Sequence, residues 1–112
     1  MVTDKFMELI KILDKDPSFS LLSKYSKRAL ALRILGGFRR HLTSQKSCKL
    51  INEYCLYTEK KPFMISKPKD DSYNIFITNI TDSHIKLLIE HDHYKYYLLL
   101  SKCDFLDIVN DV

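Results

Sequence analysis

The sequence predicts an α+β protein with a helical N-terminal half of three or four helices, packed on a C-terminal antiparallel β-meander of three or four strands and closed by a short helix. Apolar residues recur at three- and four-residue spacing up to about residue 58, whereas from Pro62 they alternate along β-branched and aromatic stretches. The length of 112 residues and the 46% hydrophobic content suit one folded domain, so we treat residues 1–112 as a single unit.

The first helix is predicted over residues 3–15, where the apolar residues from Phe6 to Leu13 fall on one face. We expect Asp16 and Pro17 to end it and to start the next helical stretch. Asp is a good helix cap, and Pro suits the first helical position because its missing N–H would be unpaired there in any case.

The second helical stretch, residues 17–42, is predicted to bend near residues 26–28. A continuous helix would place Lys24 and Arg28 on one face and Arg33 nearly opposite them. Beyond the bend we expect a helix from about residue 28 that buries an apolar face and displays Arg33 and Arg40 outward, with Arg39 at the flank. The residues expected to be buried are Leu30, Ile34, Leu35, Phe38 and Leu42.

Two adjacent glycines, Gly36 and Gly37, lie inside this second stretch. Each costs about 1 kcal/mol relative to alanine in a helix interior, which makes a turn the favoured interpretation. A hinge, or a close approach by another backbone, stays open as an alternative because glycine has no side chain to obstruct either.

A third helix is predicted from residue 43 or 44 to residue 58, with an apolar stripe of Cys48, Ile51, Tyr54 and Cys55. On such a helix Cys48 and Cys55 lie on one face, about 10 Å apart along the axis. That separation is too long for a disulfide, so both are expected to be free thiols in the core.

Strands are predicted for most of the chain beyond Pro62. We expect Leu98, Leu99 and Leu100 to be covered on both faces of the sheet, and the chain to close with a helix over residues 105–112. The predicted strands cover residues 63–66, 73–81, 84–90 and 94–101, with a loop at residues 67–72 and turns at residues 81–83 and 91–93.

Three cysteines and no recognisable secretory signal predict an intracellular protein, in the cytoplasm or the nucleus. No apolar run approaches the roughly 18 residues of a membrane span. The chain has only two Ala, two Gly and three Pro, which need GC-rich codons. This bias suggests an AT-rich genome, such as that of a virus, a low-GC bacterium or some protists.

The most informative functional feature is a basic segment, because residues 17–52 contain no Asp or Glu and all four arginines lie within residues 28–40. Residues 1–68 carry a net charge of +8 and residues 69–112 a net charge of −4. The basic segment could attract an acidic partner, or the two halves could attract each other. The candidate contact residues are Lys24, Lys27, Arg28, Arg33, Arg39, Arg40, His41, Lys46 and Lys49.

The sequence therefore predicts a small non-enzymatic binding protein that docks an acidic partner on this surface, with nucleic acid as the first candidate. A protein–protein regulator, such as a viral or bacterial inhibitor or an assembly subunit, is the second interpretation; it would use a strand edge or the acidic terminal helix. A small nuclease using His41 is the third. Whether the chain forms a homo-oligomer stays open.

We expect no cofactor and no metal. His84, His91, His93 and Cys103 invite a zinc interpretation, but they lack the tight ligand pairs that are typical of structural zinc sites. No phosphate-binding glycine loop, nucleophile elbow or H-E-x-x-H pattern occurs in the chain.

Overall fold

The computed structural model describes residues 4–57, 62–66 and 73–105. Three helices precede a four-stranded antiparallel sheet, which confirms the predicted α+β arrangement. The helices are α1 (Asp4–Lys15), α2 (Lys24–His41), α3 (Gln45–Tyr57) and α4 (Lys102–Phe105), with a 3₁₀ turn at Pro17–Phe19. The strands are β1 (Phe63–Met64), β2 (Asn74–Ile80), β3 (His84–His91) and β4 (Tyr94–Ser101), in the order β1-β2-β3-β4.

The 3₁₀ turn between α1 and α2 joins the helical half to the sheet. Its predicted cap is confirmed, because Asp16 Oδ1 accepts a hydrogen bond from the Ser18 N–H at 3.0 Å. Phe19, within the turn, is fully buried and stacks on Tyr96 of β4 with 5.1 Å between ring centroids. This aromatic pair therefore holds the turn against the inner face of the sheet.

The start of α2 differs from the prediction. Ser23 caps this helix, since its hydroxyl accepts a hydrogen bond from the Ser26 N–H at 3.1 Å. The helix then runs without a break, so the bend predicted near residues 26–28 is wrong. The change of direction comes earlier, between the 3₁₀ turn and Ser23, because a serine cap there starts a new helix.

The turn predicted at Gly36 and Gly37 is also wrong, since α2 continues through both residues. Gly37 is buried, and a Cβ atom at this position would lie 2.8 Å from Ile65 Cδ1, closer than real Cβ contacts allow. Gly36 would place a Cβ 3.3 Å from the Arg40 guanidinium instead. The neighbour of Gly37 is therefore the side chain of Ile65, just after β1, and not another backbone as the alternative interpretation had it.

The core lies between the helices and one face of the sheet. The apolar face predicted for α2 is confirmed, because every member of it is at most 7% exposed. Tyr73, next to β2, is 2% exposed and its hydroxyl donates to the Ser26 carbonyl in the first turn of α2. The largest fully buried side chains are Phe19, Leu9, Leu13, Leu30, Ile34, Ile65, Ile75, Ile77, Ile85, Leu87, Ile89 and Leu100.

Helix α3 packs on β2, mainly through its cysteines. Cys48 and Cys55 are both buried free thiols, as predicted, and Cys55 Sγ donates to the Ile77 carbonyl at 3.4 Å. Burial raises the pKa of both thiols above its ordinary value. Tyr54, the fourth member of the predicted stripe, is 43% exposed and contacts the ring of Phe63 edge-on.

A two-residue turn joins β3 and β4. Asp92 and His93 both have positive φ, 48° and 68°, which is the pattern of a type I′ hairpin turn. The turn sets the register in which His91 pairs with Tyr94 and Lys86 with Leu99. The strand and turn predicted for this region are therefore confirmed to within a residue.

The outer face of the sheet is covered less than the sequence predicted. Leu98 and Leu100 are buried on the inner face, but Leu99 is 52% exposed on the outer face. The prediction that all three leucines are covered is therefore wrong. A short helix follows β4 at residues 102–105. The predicted loop at residues 67–72 and the remainder of the predicted terminal helix, residues 106–112, lie outside the described residues.

Candidate binding surface

The nine candidate contact residues divide into two groups by what their side chains touch. One group is exposed on the outer sides of α2 and α3, although Lys46 also has a contact of its own, and the other is engaged in contacts that hold the fold together. The exposed group is Lys24, Arg28, Arg39, Lys46 and Lys49. The engaged group is Lys27, Arg33, Arg40 and His41.

Arg33 does not point outward as predicted. Its side chain is half-buried, Nη1 donates to the Ala29 carbonyl at 3.2 Å, and the guanidinium carbon lies 5.8 Å from the centre of the Tyr73 ring. Tyr73 in turn stacks on His91, with 4.2 Å between ring centroids. Arg33 thus connects α2 to the sheet through a cation–π contact.

Arg40 is exposed over part of its side chain, yet its guanidinium is committed to the fold. Nη2 donates to the Ile65 carbonyl at 2.8 Å, a short hydrogen bond from a charged donor. Because Ile65 also packs on Gly37, this bond lies where α2 and the residue after β1 are in close contact. Arg40 is therefore less able than Arg39 to reach a partner.

Lys27 and His41 are engaged at opposite ends of α2. Lys27 Nζ lies 3.1 Å from Asp14 Oδ1 of α1, and the lysine side chain is only 13% exposed. His41 packs edge-on against Phe63, with 5.3 Å between ring centroids. Burial, assisted by the neighbouring Arg40 charge, lowers the pKa of His41 below its ordinary value, which favours the neutral ring near pH 7.

The exposed side of α2 also carries large apolar residues that the sequence analysis did not single out. Tyr25 is 88% exposed and Leu32 is 61% exposed. Their spacing places them on the same side of the helix as Arg28 and Arg39. We call these four residues the α2 outer surface. The sequence did contain a signal for their exposure, because Tyr25 and Leu32 are out of phase with the buried stripe of α2.

A groove of about 420 Å³ lies between the first turns of α3, the β2–β3 turn and the start of α4. Three lysines line it: Lys46, Lys49 and Lys102. Asp82 is the one carboxylate among its lining residues. We call this site the lysine groove. Lys102 lies outside the basic segment, and only the fold brings it beside α3.

Two features are absent from the described residues, a metal-binding cluster and a membrane-spanning helix. Among them, no group of three or more His, Cys, Asp or Glu side chains is arranged to hold a metal ion. The side chain of Cys103, named in the zinc interpretation, lies outside the description. Within the same residues, no helix is both long and apolar enough to cross a membrane.

Comparison with known proteins found no relative of this chain. No protein-family model matches it, and neither the curated proteins nor the solved structures yield a match.

Proposed function

We propose that this chain is a non-enzymatic, intracellular binding protein that holds a nucleic acid through its phosphate backbone. The observation that carries the proposal is the lysine groove, where Lys46, Lys49 and Lys102 line one concave site. Arg39 and Arg28 add exposed guanidinium groups on α2. Lysine and arginine at such a site are the usual ligands of phosphate oxygens.

The charge balance of the groove favours an anionic ligand. Three ammonium groups line it against the single carboxylate of Asp82. Concave sites with one dominant sign of charge raise the local concentration of oppositely charged ligands. The amide side chains of Gln45 and Asn52, which also line the groove, can donate further hydrogen bonds to phosphate oxygens.

The expected binding is electrostatic and largely independent of base sequence. Each phosphate neutralised by a lysine releases condensed counterions, so affinity falls as salt rises. Three such contacts predict a slope of about −3 for log K against log salt, which is roughly a 40-fold loss between 50 and 200 mM salt. Exposed arginines that join the contact would steepen this slope.

The test is a titration of labelled single-stranded and double-stranded oligonucleotides at several salt concentrations, followed by fluorescence anisotropy. The groove variant Lys46→Glu/Lys49→Glu should weaken binding strongly and reduce the salt slope by about two. Lys86→Glu/Lys95→Glu is the matched control, because it makes the same change in net charge at exposed lysines of β3 and β4. This control variant should lose much less affinity.

Two results would contradict the proposal. The absence of binding at 50 mM salt would remove nucleic acid as the partner. An equal loss in the groove and control variants would mean that net charge, not the lysine groove, drives binding. Turnover of the oligonucleotide in the presence of a divalent metal, abolished by His41→Ala, would favour the nuclease alternative instead.

A protein partner is the second candidate function, and the α2 outer surface favours it. Exposed Tyr25 beside Arg28 and Arg39 gives the aromatic and guanidinium groups that are enriched in the centres of protein interfaces, and exposed Leu32 adds apolar surface next to them. Affinity-capture from a cell extract with wild-type protein and with Tyr25→Ala/Leu32→Ala would test it. A partner retained at high salt, and lost only in the variant, would support this function.

A further inference from the structure

The two edges of the sheet differ in length and protection. β1 has two residues and directly follows Pro62. β4 has eight residues, contains neither Pro nor Gly, and has no neighbouring strand on its outer side within the described residues. Natural proteins usually shorten, kink or charge an edge strand, because an unprotected edge pairs with another strand. Such protection is present at β1 and almost absent at β4.

The outer edge of β4 offers a regular set of unpaired backbone groups. The Lys102 N–H donates to the Ser83 carbonyl at 2.8 Å, which continues the β3–β4 register as a hydrogen-bonded pair. Hydrogen-bonded pairs alternate along an antiparallel ladder, so the even-numbered residues of β4 bond to β3. The N–H and C=O groups that point away from β3 belong to Lys95, Tyr97, Leu99 and Ser101.

A row of apolar side chains on the outer face of the sheet also extends to this edge. On the outer face of the sheet, Phe76, Leu88 and Tyr97 lie opposite one another across β2, β3 and β4. Leu88, in the interior of the row, is 9% exposed, whereas Tyr97 is 67% exposed and Leu99 is 52% exposed. Tyr97 and Leu99 also line a shallow groove of about 240 Å³. The exposed apolar area is thus concentrated at the open edge.

We propose that β4 pairs with β4 of a second copy of this chain, in antiparallel orientation about a two-fold axis at Leu98. This register places Tyr97 opposite the second copy's Leu99, and Lys95 opposite the second copy's Ser101. Residues that face each other then lie on the same face of the sheet, as antiparallel pairing requires. The two four-stranded sheets become one sheet of eight strands, and the apolar row continues across the axis.

Charge placement favours the antiparallel over the parallel arrangement of the two β4 strands. Lys95 is the sole charged residue of β4, and it lies near one end. Antiparallel pairing separates the two Lys95 side chains by six residue positions, about 20 Å, which exceeds the Debye length at physiological salt. A parallel arrangement would instead bring the two ammonium groups together.

The first test is sedimentation equilibrium of the full chain over a wide concentration range. The mass should rise from 13.2 kDa toward twice that value as concentration increases. Tyr97→Glu/Leu99→Glu places carboxylates directly opposite one another in the dimer and should raise its dissociation constant at least tenfold. Leu50→Glu/Leu56→Glu adds the same charge at similarly exposed residues of α3 and should leave dimerisation unchanged.

The second test uses the unmodified protein, so it does not depend on whether a variant folds. Amide hydrogen exchange should show protection of Lys95, Tyr97 and Leu99 only at concentrations where the dimer forms. Tyr96, Leu98 and Leu100, bonded to β3, should be protected at every concentration. This odd–even contrast is specific to edge pairing.

Three outcomes would overturn the proposal. A mass of one chain at all concentrations would exclude the dimer. A dimer in which the odd-numbered amides of β4 stay unprotected would place the interface elsewhere, as would equal weakening by both double variants. Protection of those amides in a chain that stays monomeric would show that another segment of the same chain covers the edge.

Discussion

The two sides of α2 use the same residue type for different purposes. On the side toward the sheet, Arg33 lies over Tyr73 and Arg40 donates to the Ile65 carbonyl. Further around the helix, Arg28 and Arg39 extend into solvent. Four arginines within 13 consecutive positions therefore supply two structural contacts and two groups that can meet a partner. The charge counted along a sequence exceeds the charge that a ligand encounters.

The contrast between adjacent glycines gives the largest expected effect. Gly37→Ala should lower the free energy of unfolding by about 2 kcal/mol, because the added methyl group overlaps Ile65. Gly36→Ala is the matched control. Its added methyl group meets only Arg40 Nη1, at 3.3 Å, so a small shift of the guanidinium relieves the contact, and the variant should be neutral or stabilising by up to about 1 kcal/mol because alanine favours the helix. Urea denaturation of both variants measures the difference, and equal effects would mean that α2 does not approach Ile65 this closely.

The contrast between adjacent arginines comes next. Arg40→Met should lower the free energy of unfolding by about 1–2 kcal/mol, because it leaves the Ile65 carbonyl without its charged donor. Arg39→Met, with an exposed side chain, should change stability by less than about 0.5 kcal/mol. Chemical denaturation distinguishes them. If Arg39→Met were the more damaging change, the assignment of structural and ligand-facing arginines would be reversed.

The ion pair between Lys27 and Asp14 should contribute less. A double-mutant cycle of Lys27→Met and Asp14→Asn should give a coupling of about 0.5 kcal/mol, because Asp14 is half-exposed and water screens the pair. The coupling should shrink at high salt. Lys24→Met, at an exposed lysine on the same helix, combined with Asp14→Asn should give no coupling. A coupling of similar size there would indicate a general charge effect.

The smallest expected effect is a pH dependence from His41. Its pKa is lowered in the folded protein, chiefly by burial and then by Arg40, so the unfolded chain binds more protons in this range. Stability should therefore fall as pH decreases through the unfolded value of 6.5, and level off below the folded pKa. His41→Gln should remove this part of the slope, as seen by thermal denaturation between pH 5 and 8. An unchanged slope in the variant would assign it to another group.

The strands could be predicted because their signal is local. Side chains alternate between the two faces from Tyr94 to Ser101, and the turn before them needs only two residues, Asp92 and His93. The role of Gly37 could not be predicted, since it depends on Ile65, which is distant in sequence and contacts it only in the folded chain. A local pattern contains no information on that contact.

The candidate site, like the fold, could be predicted from the sequence only in part. The basic segment was evident from charge alone, but which of its members remain exposed depends on tertiary contacts. Arg40 is the clearest case, because its acceptor is a backbone carbonyl that no pattern marks. Lys102 joins the lysine groove only because α4 follows β4 back toward α3. The exposed Tyr25 and Leu32, in contrast, could have been noticed from their helical phase.

The layered core also has a consequence for synthesis on the ribosome. The helices leave the exit tunnel before the strands, so the apolar faces of α1, α2 and α3 initially have no sheet to cover them. The meander that covers them is made of neighbouring strands, and a hairpin with a two-residue turn closes in roughly 1–10 μs. Strand pairing is therefore much faster than synthesis at about 5–20 residues per second, so the time at which the nascent helices are covered is set by the emergence of β4 from the tunnel.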